Sequence, residues 1–488
     1  MKLVADKVDN WINNEPVAAA NGAELDKFSP ADGKLLLKAA RSGKADVDNA
    51  VAAARGAFPA WSAMTPVDRG SILRKIASLL EKHAAEMARV VSLETGKSMK
   101  DALGETGGAV EMGYFMAGEG RRFYGKTTTS SMKERTSLTI RQPVGVAGLI
   151  IAANTPIANV AWKVFPALIC GNTVALKPSE DTPMTAVAFA LIAKEAGLPA
   201  GALNVINGLG SEAGAPLVEN AGVDLISFTG STATGRWIAR TAGARLAKVF
   251  LELGGKNPLV VCDDADMYNA VKWTLLSAFS NAGQRCAAAS RIIILDSVYD
   301  RFREALVKAA AKLKVGSGDV DDLGPVINGR QLDNMLAAVE SAKKDGAKVL
   351  IGGSRLTGPG HEGGYYMAPT LIEGAAPSAE ISRKEIFGPI ACLYRAKDFD
   401  DALALANDCD YGLTSCIHTS SVHRALEFAR RVQCGVANVN AGTYGSEPHM
   451  PFGGVKNSGA GGREPGTEAL DVYSELKNVN INTIPGLL

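Results

Sequence analysis

The chain has 488 residues, beyond the ~250–300 at which a single hydrophobic core stops growing, so two or more domains are expected. Its 52 Lys+Arg against 51 Asp+Glu leave a net charge of +1, which gives no electrostatic case for nucleic acid or an anionic membrane as partner. The charged N-terminal stretch "MKLVADKVDNWINNEP" lacks the apolar core of a secretory signal, and the apolar run "VGVAGLIIAA" (144–153) falls short of the ~18 residues of a membrane span. Seven scattered cysteines without a CxxC pair suit a reducing cytoplasm better than a disulfide framework, and five histidines without HExxH predict no metal site.

From the N-terminus, residues 43–115 read as helices. "ADVDNAVAAARGAF" and "DRGSILRKIASLLEKHAAEMARVVSLETG" space apolar residues three and four apart, and Gly96 suits a C-cap for the second. "RTSLTIRQPVGVAGLIIA" then reads as a strand running into a buried strand. From 144 to about 261 the apolar runs "VAGLIIA", "TVALKP", "LNVING", "LISFTG" and "KVFLEL" alternate with helical stretches such as "PMTAVAFALIAKEAG". That alternation predicts βαβ units and a parallel sheet. A similar pattern restarts after Asp263 with "MYNAVKWTLLSAFSNAGQ", "SRIIIL" and "SVYDRFREALVKAAAKLKVG", and continues to "GVANVN". Two α/β domains joined near residue 254 are therefore expected. The final "YSELKNVNINTI" alternates like a strand that could pair with the segment near 135–142.

Several segments could carry chemistry. "GLGSEAG" (208–214) is one residue too long for a GxGxxG fingerprint and reads more simply as a loop and helix start. "SFTGSTATG" (227–235) follows a strand and opens a helix, which fits either a phosphate site at Gly230 and Ser231 or plain N-capping. In "VALKPSE", Lys177 and Glu180 stand at a strand end, where such a pair can hold ribose hydroxyls or simply be solvated. "FLELGGKNP" sets Glu252 in an apolar strand end; burial there would raise its pKa into the range of a general base, unless it forms a structural ion pair. In "NAGQRCAAASR", Cys286 alone reads as an inert buried thiol.

Together "FTGSTATG", "LELGGKNP", "GQRCAAASR", "EIFGPI" and "PFGGVKNSG" resemble, in that order, the aldehyde dehydrogenase superfamily over essentially the whole chain; the 34 residues from Glu252 to Cys286 match its base-to-nucleophile interval. The resemblance implies an α/β fold of two Rossmann-like domains with parallel sheets plus a small β oligomerisation arm. The coenzyme-binding domain would span 1–123 and 144–253, the catalytic domain 254–453, and the arm 124–143 and 470–488. It implies Cys286 as nucleophile, Asn154 as oxyanion donor with the Cys286 backbone N–H, Glu252 as the base that activates water, and Lys163 as an aid to proton transfer. Lys177 and Glu180 would hold the adenosine ribose, Gly230 and Ser231 the pyrophosphate, and Glu385 and Phe387 the nicotinamide ribose. NAD is the implied cofactor, disfavouring the 2′-phosphate of NADP through Glu180, although some members with "KPSE" accept both.

Two departures bear on the substrate. "AANTP" (152–156) stands where the family commonly has Pro-Trp-Asn-Phe-Pro, so Thr155 replaces an aromatic residue of the substrate tunnel and suggests a wider or more polar pocket. The C-terminal motif "SGAGGREPG" is one glycine longer than the common form, and "NAGTYGSEPHMPFGG" is similar to semialdehyde-oxidising branches. Thr155, Tyr444, Glu447 and His449 are the candidate substrate residues, and Arg121 and Arg122 either meet an anionic substrate tail or form a solvated face. The expectation is a cytoplasmic homodimer or homotetramer that oxidises a polar aldehyde or semialdehyde to the acid with NAD(P). The alternatives are a CoA-acylating member, against which Glu252 argues, and a non-catalytic protein on the same fold, against which Cys286, Asn154 and Glu252 argue together.

Overall fold

The computed structural model describes residues 3–484; the first two positions of the expected coenzyme domain and the last four of the expected arm lie outside them. An eight-stranded sheet dominates the first half. Its strands Lys248–Glu252, Leu225–Thr229, Val146–Ile150, Thr173–Lys177 and Leu203–Val205 lie side by side in that order, all parallel. The chain builds outward from Val146–Ile150 in one direction, then crosses back to build in the other, so the strand order reverses beside Val146–Ile150. These strands are buried nearly throughout because helices cover both faces, which is why they read as continuous apolar runs. Two pieces were not foreseen. Asn10–Ile12 and Glu15–Val17 extend one edge antiparallel, and Gly459–Ala460 pairs antiparallel with Leu251 and Glu252 at the other.

A seven-stranded sheet forms the second half, with strands Thr370–Glu373, Ile390–Ala396, Ala289–Leu295, Asn257–Val261, Thr414–His418 and Val436–Val439 parallel and Lys348–Ile351 antiparallel at one edge. Each sheet carries its own apolar cluster, the first around Leu149, Phe165 and Leu176, the second around Ile293, Phe302 and Leu393. A third, smaller sheet pairs Ser474–Asn482 antiparallel with Arg135–Pro143, from Ser474 opposite Pro143 to Asn482 opposite Arg135.

The long helix read over 68–96 is two helices, Pro66–Lys82 and Ala84–Thr95, broken at His83, whose φ of −104° leaves the helical range. Apolar periodicity runs through the break because both helices bury the same side, so spacing alone does not register it. Gly96 does end the second helix, at φ 76°. No helix among the described residues is long and apolar enough to cross a membrane.

Candidate functional site

The residues singled out in the first half collect at one edge of its sheet. Asn154 follows Val146–Ile150, Lys177 ends its strand, Gly230 and Ser231 follow Leu225–Thr229, and Glu252 ends Lys248–Glu252. These are carboxyl ends of parallel strands on both sides of the order reversal, where an open α/β sheet leaves a crevice. The second sheet meets them with its amino ends, since Cys286 lies just before Ala289–Leu295 and Glu385 and Phe387 just before Ile390–Ala396.

The loop to Cys286 is held in a costly conformation. Asn281, Ala282 and Gly283 have φ of 55°, 53° and 66°, and a non-glycine residue in that left-handed region costs about 1–3 kcal/mol. Side-chain amides hold the loop on all sides. Asn281 Nδ2 donates to the Asn154 carbonyl (3.1 Å) and the Gln284 carbonyl (3.2 Å), and Gln284 Oε1 accepts from Ile327 N (2.9 Å). Asn257 Nδ2 donates to the carbonyls of Cys286 (2.7 Å) and Ala288 (2.9 Å). A Cβ at Gly283 would overlap the Gly388 carbonyl, so this loop and the one bearing Glu385 and Phe387 touch backbone to backbone. Phe387 is itself left-handed, at φ 59°.

Cys286 keeps part of its surface exposed, but its thiol is buried enough to push its pKa up to about 12. The carboxylates of Glu385 and Glu252 push the same way; the Ala287 backbone N–H and the Arg285 charge oppose them. Glu252 is buried, with neither carboxylate oxygen hydrogen-bonded. Its pKa lies well above the usual carboxylate range, first from burial and then from Glu464, while Lys163 and Arg463 pull it down. A Cβ at Gly453 would stand 2.7 Å from Glu252 Oε1, so the glycine leaves the room this side chain occupies.

Asn154 is set from behind. Its carbonyl accepts from Lys97 Nζ (2.8 Å), and its side-chain Oδ1 accepts from Asn159 Nδ2 (3.5 Å), which leaves its own Nδ2 as the unspent donor. Lys97 pairs with Glu105 at 2.6 Å, both nearly fully buried. Glu105 Oε1 also accepts from the N–H groups of Ile157 (3.0 Å) and Ala158 (3.3 Å), capping a helix whose own N-cap, Thr155, makes no side-chain cap bond. Lys163 donates to Ser227 Oγ (2.7 Å) and Glu464 Oε2 (2.9 Å), and the Tyr473 hydroxyl donates to Glu464 as well.

The remaining residues singled out stand along the two facing sheet edges. Lys177 Nζ lies 3.3 Å from Glu180 Oε2, the lysine buried and the glutamate a third exposed. Ser231 caps the next helix by accepting from Thr234 N (3.3 Å), so the capping role holds, and Gly230 turns where a Cβ would strike the Phe228 ring. Glu385 Oε1 accepts from Gly255 N (3.0 Å), and burial raises its pKa to about 7. A Cβ at Gly254 would overlap the Glu385 carboxylate, so the paired glycines of "LELGGKNP" let the two loops close on each other.

On the other side of Cys286 a small apolar cluster joins Ala287, Leu413 and Phe452, with Trp162, Val436 and Tyr444 packed on it beside the cysteine. Trp162 meets Phe452 edge-on at 5.5 Å. Tyr444 therefore packs on the same cluster as Cys286, and Thr155 follows Asn154 in the chain, whereas Glu447 and His449 are exposed and face one another at 3.8 Å. Arg122 is spent on Glu119 at the far end of the helix Met99–Glu119, ~20 Å along its axis from Glu105. Sequence reading passed over Lys97, Glu105, Trp162, Asn257, Phe452 and Glu464. Of these Asn257, Phe452 and Glu464 sat in segments already singled out, "FLELGGKNP", "NAGTYGSEPHMPFGG" and "SGAGGREPG".

The sequence profile of the Aldehyde dehydrogenase family matches residues 17–479. An alpha-ketoglutaric semialdehyde dehydrogenase of Bacillus subtilis is 38% identical over 473 residues, covering 96% of this chain and 97% of its own. The succinate-semialdehyde dehydrogenase GabD of Escherichia coli, named for NADP(+), is 38% identical over 470 residues, covering 96% of each. A betaine aldehyde dehydrogenase from Staphylococcus aureus, crystallised with NAD+, superposes with a TM-score of 0.96 at 33% identity, covering 98% of this chain and 95% of that one.

Proposed function

Because this chain belongs to the aldehyde dehydrogenase family, we propose that it oxidises a polar aldehyde or semialdehyde to the carboxylic acid through a covalent thioester at Cys286. The observation that carries this reading is the meeting of Cys286, the free Asn154 amide and the unpaired Glu252 carboxylate where the edges of the two sheets face each other.

Cys286 would attack the aldehyde carbon. A thiol pushed up to about 12 is almost wholly protonated at neutral pH, so the resting site stores the nucleophile in its unreactive form. The thiol's proton would pass to solvent water at the partly exposed Cys286, a loss favoured by the Ala287 N–H and the Arg285 charge. Asn154 Nδ2 and the Cys286 N–H would hold the oxyanion that forms; one such donor lowers the barrier by about 3–4 kcal/mol. A nicotinamide dinucleotide bound by Lys177, Glu180, Gly230, Ser231, Glu385 and Phe387 supplies the hydride acceptor. Glu252 would then take a proton from water, which attacks the thioester and releases the acid and the free thiol. A carboxylate with raised pKa and no hydrogen-bond partner is suited to that task. Lys163, tied to Glu464, would tune Glu252 through its charge rather than touch the reacting atoms.

NAD is the favoured cofactor over NADP, because the carboxylate of Glu180 would repel a 2′-phosphate. The small sheet made by 135–143 and 474–482 would join subunits into a dimer or tetramer, and the seven free cysteines fit a cytoplasmic setting. The test is NAD(P)H production from a panel of aldehydes by the purified protein and by Cys286→Ala. Loss of turnover with cofactor binding retained is expected; turnover undiminished in the variant would contradict the mechanism.

A further inference from the structure

Side chains take the carbonyls of the nucleophile loop one after another. Asn257 Nδ2 donates to those of Cys286 (2.7 Å) and Ala288 (2.9 Å), and Thr443 Oγ1 donates to the one between them, Ala287 (2.7 Å). Asn257 is buried, at 1% exposure, and its Oδ1 accepts from Thr414 N (3.0 Å). Its amide therefore cannot turn over without setting an oxygen against two carbonyls. The next residue, Pro258, brings no N–H to the ladder where the register with Ala289–Leu295 is irregular, and the Asn257 side chain supplies donors there instead. Gly255 leaves the space, since a Cβ there would stand 2.5 Å from the Cys286 carbonyl oxygen and 2.8 Å from Asn257 Oδ1.

Holding a carbonyl also aims an N–H. A peptide unit is planar and trans, so its C=O and N–H point in opposite directions. The unit whose oxygen Asn257 grips carries the N–H of Ala287, which is thereby turned away from Asn257. Burial pushes the Cys286 thiol up, and the Ala287 N–H is the backbone group that opposes it by favouring the thiolate. The following unit plays a different part, because the Ala288 N–H donates to the Arg285 carbonyl (3.0 Å).

We infer that Asn257 is a positioning residue for the nucleophile: by gripping the Cys286 carbonyl it keeps the Ala287 N–H on the sulfur and so raises the share of reactive thiolate. This rests on the role of Cys286 proposed above and deepens it. Asn257 acts through the peptide and not on the reacting atoms, and the thiol proton leaves to solvent water. Thr443 holds the same loop but aims no N–H at the sulfur, which makes it the control.

The test is the rate at which iodoacetamide alkylates Cys286 between pH 7 and 9, followed on its peptide by mass spectrometry. It compares the native protein with Asn257→Leu, Asn257→Ser and Thr443→Val. A hydrogen bond to a charged sulfur shifts its titration by roughly one to two pH units. A more basic thiolate is also the better nucleophile, so the net slowing expected in Asn257→Leu is roughly 3- to 10-fold at every pH. Asn257→Ser, whose hydroxyl has a single donor, should fall between Asn257→Leu and native, and Thr443→Val should react at the native rate. A loop that had merely loosened would do the reverse, because exposing a buried thiol speeds its alkylation. If Asn257→Leu does not fold, read by thermal unfolding, Asn257→Ser decides. Unchanged or faster alkylation in the Asn257 variants, or an equal slowing in Thr443→Val, overturns the inference. None of these readings needs turnover, so a protein that oxidises no aldehyde would remove the oxidation proposal and leave the alkylation comparison to decide this one.

Discussion

Glu252 is expensive where it stands. Both oxygens are buried and unpaired, and its pKa is raised because the folded chain resists its charge. A carboxylate whose folded pKa exceeds its unfolded value binds its proton more tightly in the native state. Its drain on stability is absent at low pH and grows as pH rises from the unfolded pKa, near 4.5, to the raised folded one. Glu252→Gln should therefore raise the melting temperature more at pH 8 than at pH 5, read by thermal unfolding at both, and lower steady-state turnover by roughly 10²- to 10⁴-fold. A gain that is equal at both pH values would show that the charge is not what destabilises the site. At this scale the sequence was informative where chemistry is unusual for its surroundings: a glutamate in an apolar strand end was visible, and so was a cysteine among alanines. Arg285 was not, because an arginine beside a cysteine reads as an ordinary polar neighbour until the fold shows its Nε buried without a hydrogen bond.

Two short elements bring these residues together, the left-handed turn 281–283 and the start of the helix Pro156–Ile169. The second depends on a side chain far away in sequence. Glu105 caps two helix N–H groups and pairs with Lys97, which in turn holds the Asn154 carbonyl. Glu105→Ala strands a buried ammonium and two backbone donors, so a stability loss of about 3–5 kcal/mol is expected, with kcat falling through misplacement of Asn154. Denaturant unfolding together with kcat measures both, and a loss under 1 kcal/mol with kcat intact would mean that the pair is solvated rather than structural. Helices were legible here from spacing and parallel strands from unbroken apolar runs, because burial of one side imposes a period and burial of both faces a run. The break at His83 was not, since both helices bury one continuous side. The Lys97–Glu105 pair was equally hidden, as Lys97 stands in the short link after Gly96 and Glu105 does not break the pattern of its helix.

The whole molecule places the carboxyl edge of one parallel sheet against the amino edge of another, and the site residues are those that happen to stand on the two edges. The strand–helix alternation announced both sheets. It did not announce the strands that complete the first one, Asn10–Ile12 and Gly459–Ala460, whose partners lie far along the chain and leave no local period. The third sheet presents Leu138, Ile140, Val479 and Ile481 on one face, with Ile140 and Ile481 exposed. Such an apolar face on a three-stranded sheet calls for cover, so the native chain should run as a dimer or tetramer in light scattering, and Ile140→Lys with Ile481→Lys should shift mass toward the monomer. A native monomer would contradict the arm's role. The central claim, a covalent acyl group on Cys286 that Glu252 helps to release, is tested most directly by intact-protein and peptide mass spectrometry of Glu252→Gln mixed with NAD and succinic semialdehyde. The expected result is one acyl group per chain, on the peptide carrying Cys286; an unmodified Cys286 peptide after a full equivalent of NADH has formed would contradict it.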